Sequence, residues 1–456
     1  MTVSSYAIKR TKTVFLRYIF EFFRKIMKMR TFKTLVLSNG LRIILQPLTQ
    51  SSSVSVYITV GAGPRFETQE TAGLAHFLEH MLFEGTKNLP TSKDVAEYIE
   101  KIGGKSGAFT DKEYVAYYAK VKPQHLETAI SHLSDILFSS TLNPEAIEKE
   151  KGIVMEELKR KIDNPEVEIW DLWLEWIWGE NQALGRSTLG NAKTIRNVTR
   201  EKLLLYMRNL YHPTNMVIAI AGNFSLGNAE KLLRKNFETQ SKGRVPNFKT
   251  VNLVPKKNVI KTINSDTQQN QLILGFITGV SYRHKDRFPL LVAANILGGG
   301  TISRIFHKLV YELGIAYAVR TYAWIFRDTG LFLISGGFSK ETEKAIKTIL
   351  EELTRLKSEK VSSKELQAIK EISKSNIYFY METSDAIAFQ YATDYITENR
   401  ILTPDETAQH IEKVTAEDIQ RVAKRYFAKE NLRIIARGPS VKKFTHSFEK
   451  LLDNFR

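Results

Sequence analysis

Apolar residues recur along this chain at the spacing of buried helices and of strands, and one predicted helix carries polar residues where its pattern leaves no solvent. Between Ala72 and Phe83, Leu74, Phe77, Leu78, Met81 and Leu82 cover one broad side, so the helix is buried rather than surface-lying. His76 and His80 stack one turn apart on the remaining side, with Glu79 beside them, all within an arc of roughly 100°. Buried ionisable groups are paired or metal-bound, since leaving them bare costs several kcal/mol. Neutral imidazole is a good zinc ligand, and a carboxylate between two such ligands can take a proton from water. The cluster therefore reads as a divalent-metal site with a base attached.

A catalytic zinc takes three protein ligands, so a further acid is needed. The run from Leu142 to Leu158 opens with Asn143 as N-cap and Pro144 at the first helical position, which predicts a helix start. Glu145, Glu148 and Glu156 fall on its polar side. Glu150 and Glu157 fall with Ala146, Ile147, Ile153 and Val154. Two readings fit those acids: they coordinate or orient a metal, or they edge a solvated face.

The pattern also repeats. Val198-Thr199-Arg200-Glu201 leads to Asn215 and the strand-like run Met216 to Gly222, and Val414-Thr415-Ala416-Glu417 leads to Asn431 and the run Leu432 to Gly438. The offset is 216 residues in both places. Two tandem halves of one helix-then-strand design are predicted, spanning 31–238 and 258–456. The Gly- and Pro-containing basic stretch 239–257 is the linker between them. Carried back, the offset moves the metal motif onto Val292, Asn295 and Ile296, so no second metal site is expected.

Composition narrows the function classes. With no cysteine, neither a disulfide framework nor a thiolate zinc site is possible, and an oxidising compartment gains no support. No apolar run approaches the ~18 residues of a membrane span. The net charge is +17, of which residues 1–30 hold a disproportionate share, with eight Lys or Arg against the single Glu21. Val14, Phe15, Tyr18, Ile19, Phe22, Phe23 and Ile26 there recur at helical spacing. The segment reads as a basic amphipathic extension: a helix docking on the body, an extension upstream of a start at Met27 or Met29, or a targeting or membrane-surface segment. A cytoplasmic location is expected, organellar or membrane-surface if that segment is genuine. The remaining charge is spread thinly without an aromatic-basic recognition motif, which argues against nucleic acid as a partner. Gly298-Gly299-Gly300 lacks the Gly-Lys-Ser/Thr ending of a phosphate loop and reads as a flexible or substrate-lining loop.

His76-x-x-Glu79-His80, with Glu157 after a further seventy-six residues, resembles the inverted zinc motif of the pitrilysin family, which includes insulin-degrading enzyme and the mitochondrial processing peptidases. Gly61 to Glu67, Gly73-Leu74-Ala75, Phe83 to Thr86, Gly103-Gly104 and His212 to Met216 resemble family blocks in family order. The resemblance implies an α+β protein of two tandem homologous α/β rolls, each a mostly antiparallel sheet with helices on one face. It implies one Zn2+ per chain held by His76, His80 and Glu157, Glu79 as general base and Glu150 as supporting acid. It also implies a metalloendopeptidase that holds peptides or unfolded segments as an extended strand along Ala108, Phe109 and Thr110, with Tyr317 assisting at the oxyanion.

The chain departs from the family pattern at two positions. Gly107 stands where relatives usually have Asn, and Val310 where they have an Arg paired with the Tyr. The resemblance implies a homodimer or a heterodimer with a homologous subunit, and a partner that supplies the missing Arg, as in family heterodimers where one chain carries zinc and the other the Arg and Tyr. The alternative is a non-catalytic core subunit of the same family, which would tend to lose the metal residues.

Overall fold

The computed structural model describes residues 32–245, 247–252, 259–338, 341–439, 441–453 and 455. The basic extension 1–30 lies outside the described residues, as do parts of the linker. Among the described residues, β1 (Lys33–Val36), β2 (Arg42–Pro47), β3 (Val54–Val60), β4 (Lys105–Thr110), β5 (Val115–Val121) and β6 (Met216–Gly222) form one sheet, in the order β1-β2-β6-β3-β5-β4. A second sheet runs β7-β11-β8-β10-β9, from β7 (Ile260–Asn264), β8 (Asn270–Ile277), β9 (Ala316–Ile325), β10 (Gly330–Phe338) and β11 (Leu432–Gly438). Both are antiparallel except at one place each, where β6 pairs parallel with β2 and β11 parallel with β7. The fold is α+β with two like halves. Among the described residues, no helix is long and apolar enough to cross a membrane.

The helices that position the functional residues are α1 (Leu74–Met81), α2 (Pro144–Ile162), α3 (Pro165–Trp178), α4 (Arg200–Leu210), α5 (Arg287–Gly298), α6 (Ser363–Tyr380), α7 (Ser384–Glu398) and α8 (Ala416–Tyr426). The internal repeat holds down to its hydrogen bonds. Thr199 and Thr415 cap α4 and α8 by accepting from the amides of Lys202 and Asp418. Asn215 then ties back to the Leu210 carbonyl at 2.9 Å, and Asn431 to the Tyr426 carbonyl at 3.2 Å. The side chains repeated in sequence are thus those that close a helix before it turns into a central strand. Of the Gly298–Gly300 run, Gly298 ends α5 and Gly299 caps it, so only the end of the run is loop.

Every residue of β3 and of β6 is buried, which requires cover on both sheet faces. Val54, Val56, Ile58 and Val60 enter the core built by the half's own helices. Tyr57 points the other way, into a core closed by α7 of the second half through Ile387, Ala388 and Tyr391. In return α3 lays Trp173 and Trp178 on the second sheet, against Ile273, Leu333 and Ile435. Each half thus lends the other one helix. Trp173 is fully buried, and a Cβ on Gly275 would come within 2.6 Å of its ring, so no bulkier residue than glycine fits beneath it. Trp173→Ala is expected to cost about 3–5 kcal/mol and to lower the denaturant midpoint of both halves in one transition. Two separated transitions in the parent protein would contradict this mutual cover.

Candidate metal centre

The chain enters α1 through Gly73, whose φ of +92° falls in the left-handed region and whose Cβ, were there one, would lie 2.7 Å from the Leu189 carbonyl oxygen. Only glycine makes that turn without strain. With no capping side chain at position 73, the first amides of α1 are satisfied by Glu67, whose two carboxylate oxygens accept from Gly73 N at 2.9 Å and Ala75 N at 2.7 Å. Burial pushes this carboxyl up to about 7, against those two bonds and the nearby Arg186 and Lys112. Sequence reasoning missed this role. The signal was an acid shortly before a helix that lacks a capping side chain of its own. Leu74, Phe77, Leu78 and Met81 are buried as predicted, which fixes the opposite side of α1 toward α2.

Asn143 caps α2 by accepting from Glu145 N at 2.8 Å, with Pro144 following. The buried residues of α2 are Ile147, Glu150 and Val154. Their spacings of three and four lead next to Glu157. Ile153 departs from the expectation: it is 40% exposed, because the buried stripe is one residue wide at that turn and Val154 occupies it.

His76 Nε2 and His80 Nε2 lie 3.6 and 3.8 Å from Glu157 Oε2, and one ligand atom from each residue falls within 4.8 Å of the others. Tetrahedral bonds of about 2.0–2.2 Å to zinc would put neighbouring donors roughly 3.3–3.6 Å apart. The donor set fits that ion with little movement. Burial, the His80 ring and Lys161 push His76 down to about 3, which keeps its imidazole neutral and its lone pair available. For His80 burial also pulls the pKa down. The hydrogen bond to Glu150 and the charges of Glu150, Glu79 and Glu157 outweigh it and raise the net value. His80 Nδ1 sits 3.1 Å from Glu150 Oε2. A proton on Nδ1 would make that bond and leave Nε2 free to ligate.

Glu79 stands outside this donor set, with Oε2 accepting from the Thr110 hydroxyl at 2.5 Å. Burial raises its pKa, the Thr110 hydroxyl and His80 oppose the rise, and Glu157 adds to it. Thr110 ends β4, the edge strand of its sheet. A cleft of about 580 Å³ opens beside that edge, lined by Glu79, His80 and Glu150 and by Ser106, Gly107 and Ala108. Phe109 is turned away, its ring 5.4 Å from that of Phe389 on α7, so its side chain serves the joint between halves. A Cβ on Gly107 would lie 2.8 Å from the Tyr118 hydroxyl: the Tyr118 ring fills the space a side chain there would need. The structure does not bring Tyr317 to the cluster. It is 91% exposed at the start of β9 and lines a separate groove with Trp170 and Gln271. Val310 lies in the π-helical turn His307–Glu312.

Residues 42–192 match the family model described as insulinase (peptidase family M16), and residues 197–373 the one described as peptidase M16 inactive domain. The chain is 33% identical to the uncharacterized zinc protease YmxG of Bacillus subtilis over 86% of its own length and 95% of that protein's. It is 30% identical to an uncharacterized zinc protease of Rickettsia felis, over 86% and 94%. A crystal structure of a protease from Helicobacter pylori shares the fold with a TM-score of 0.82 at 23% identity, covering 90% of this chain and all of that one. Two tandem halves, a candidate metal-ligand set that among the described residues lies in the first of them, and relatives matched over nearly their whole length place this chain in the insulinase (pitrilysin) family of metallopeptidases, peptidase family M16.

Proposed function

We propose that this protein is a zinc-dependent metalloendopeptidase that cleaves peptides or unfolded segments held as an extended strand. The observation that carries the reading is the approach of His76, His80 and Glu157 to within ligating distance of one ion, with Glu79 held beside them by the end of an edge strand. Zinc, when bound there, supplies a Lewis acid that polarises a carbonyl and acidifies a water. Glu79 then accepts the proton from the attacking water and gives it to the leaving amine nitrogen, a task suited to a carboxylate whose proton affinity burial has raised. Glu150 holds the His80 ring in its ligating tautomer. The unpaired edge of β4 pairs with substrate backbone, which makes recognition tolerant of side-chain sequence. Thr110 couples the two tasks, since it ends the docking strand and orients the base. The matched domain described as inactive runs from residue 197 to 373 and so takes in Val292, Asn295 and Ile296, which replace the metal motif in the second half. A non-catalytic subunit of the same family is the weaker reading because the donor set of the first half is complete.

The test is cleavage of a quenched, unstructured peptide. Cleavage is expected to stop on chelation and return on adding zinc, and chelator-insensitive cleavage would refute a metal-dependent reaction. With Val310 unable to donate a hydrogen bond and Tyr317 remote from the cluster, we further propose that a homologous but non-identical partner chain donates the missing cation, since a second copy carries the same Val310. The absence of one oxyanion donor typically costs about 10²- to 10³-fold. Specific activity is therefore expected to rise by that order between dilute monomer and the assembled state. Equal activity in a strictly monomeric sample would sink the donation.

A further inference from the structure

The internal repeat has left a second cavity at the position where the first half gathers its candidate metal ligands. The 216-residue offset sets Asn295 of α5 opposite Glu79. The caps of α2 and α6, Asn143 and Ser362, are 219 residues apart, which sets Asn376 opposite Glu157. Charged donors have become neutral amides, yet the space between the helices has not closed. A cavity of about 390 Å³ remains, lined on the apolar side by Leu291, Ile377 and Ile411 and on the polar side by Arg287, Asn295, Asn376 and Asp394.

Asp394 is the unusual member. It comes from α7, the helix lent to the other sheet, and is only 8% exposed. One of its oxygens accepts from Gln390 Nε2 at 2.6 Å. Among the described residues it makes no ion pair, since the nearby cation, Arg287, is bound by both oxygens of Glu398, each at 2.9 Å. Burial and then the Glu398 charge push the Asp394 carboxyl up to about 7, against the bond from Gln390, the charge of Arg287 and a hydrogen bond from the Leu402 amide. A buried carboxyl without a counter-ion, facing a cavity, is relieved either by taking up a proton or by a cation that arrives to pair with it. The walls indicate what. A hard divalent cation needs six or more oxygen ligands, and this cavity offers one carboxylate without an ion-pair partner and a few amides. Asn295 gives its NH2 to Ser373 Oγ at 2.8 Å, which leaves its carbonyl oxygen as a second acceptor. One carboxylate and one amide oxygen beside three aliphatic side chains suit an N–H-rich cation on an apolar body.

We propose that this cavity binds a small primary ammonium carried on a compact aliphatic group, the ammonium on Asp394 and the aliphatic part against Leu291, Ile377 and Ile411. The site is independent of the peptidase reading. The probes are isopentylammonium and isohexanoate, which share a branched tail and carry opposite charges, titrated into the full chain by ligand-observed NMR. Saturable binding of the ammonium alone, weakened at least tenfold by Asp394→Asn, is expected. Asn376→Arg, at the exposed rim, keeps the proposal testable if the buried substitution fails to fold, because its guanidinium would compete for the same carboxylate and weaken binding likewise. No saturable binding of the ammonium, equal binding of both probes, or binding unchanged in the folded variants would overturn the assignment.

Discussion

Replacing Glu79 with Gln is expected to cut peptide cleavage by about 10²- to 10⁴-fold, the usual contribution of a general base, while zinc content stays that of the parent. The two readouts separate because Glu79 is not among the three residues whose donor atoms converge. The amide keeps the size of the acid and an oxygen that can accept from Thr110, so the 2.5 Å contact and the end of β4 are not disturbed by bulk. What is removed is a site for the proton. Loss of zinc along with activity would mean that Glu79 is a ligand. Activity within tenfold of the parent would mean that another group takes the proton. Thr110→Val provides the graded comparison: it removes the hydroxyl that holds the base but not the base, and should fall between parent and Gln variant.

Much of this arrangement was legible before the fold was known, for reasons that differ by residue. His76, Glu79 and His80 lie within one turn of one helix, so periodicity alone places them together. Glu157 was reached less directly: spacing put it with Ile147, Glu150 and Val154 on α2, and the approach to α1 is a tertiary fact that no helical pattern contains. Ile153 shows the limit of the method. A wheel assigns a broad apolar side, while the packed helix buries a stripe so narrow that a neighbour 100° away is already in solvent. The exchange of α3 and α7 was not legible at all. Trp173 and Ile387 mark their helices as half-buried, but the pattern does not say which sheet they cover. Glu67 escaped because its partners are backbone amides, so the sequence shows only an acid ahead of an uncapped helix and not what that acid binds.

Glu157→Gln should separate a ligand from a residue that only steadies one. Glu157 provides one oxygen that lies 3.6 and 3.8 Å from the Nε2 atoms of both imidazoles, and 36% of its side-chain surface is open, whereas Glu150 is buried and reaches the site only through His80 Nδ1. Exchanging Glu150 for Gln should lower zinc affinity by about 10- to 100-fold, as losing a partner behind a ligand does. Exchanging Glu157 should do more, because a neutral amide replaces the single anionic donor among two neutral imidazoles and the ion loses both a bond and its charge compensation. After dialysis the Glu157 variant is expected to retain no stoichiometric zinc and no cleavage, while its far-ultraviolet spectrum is unchanged, since α2 is capped at Asn143 and packed through Ile147 and Val154, none of which the substitution alters. The reverse ranking, with Glu150→Gln stripping the metal and Glu157→Gln keeping about one ion per chain, would move the third ligand one helical stripe back and with it the face of the ion that meets substrate.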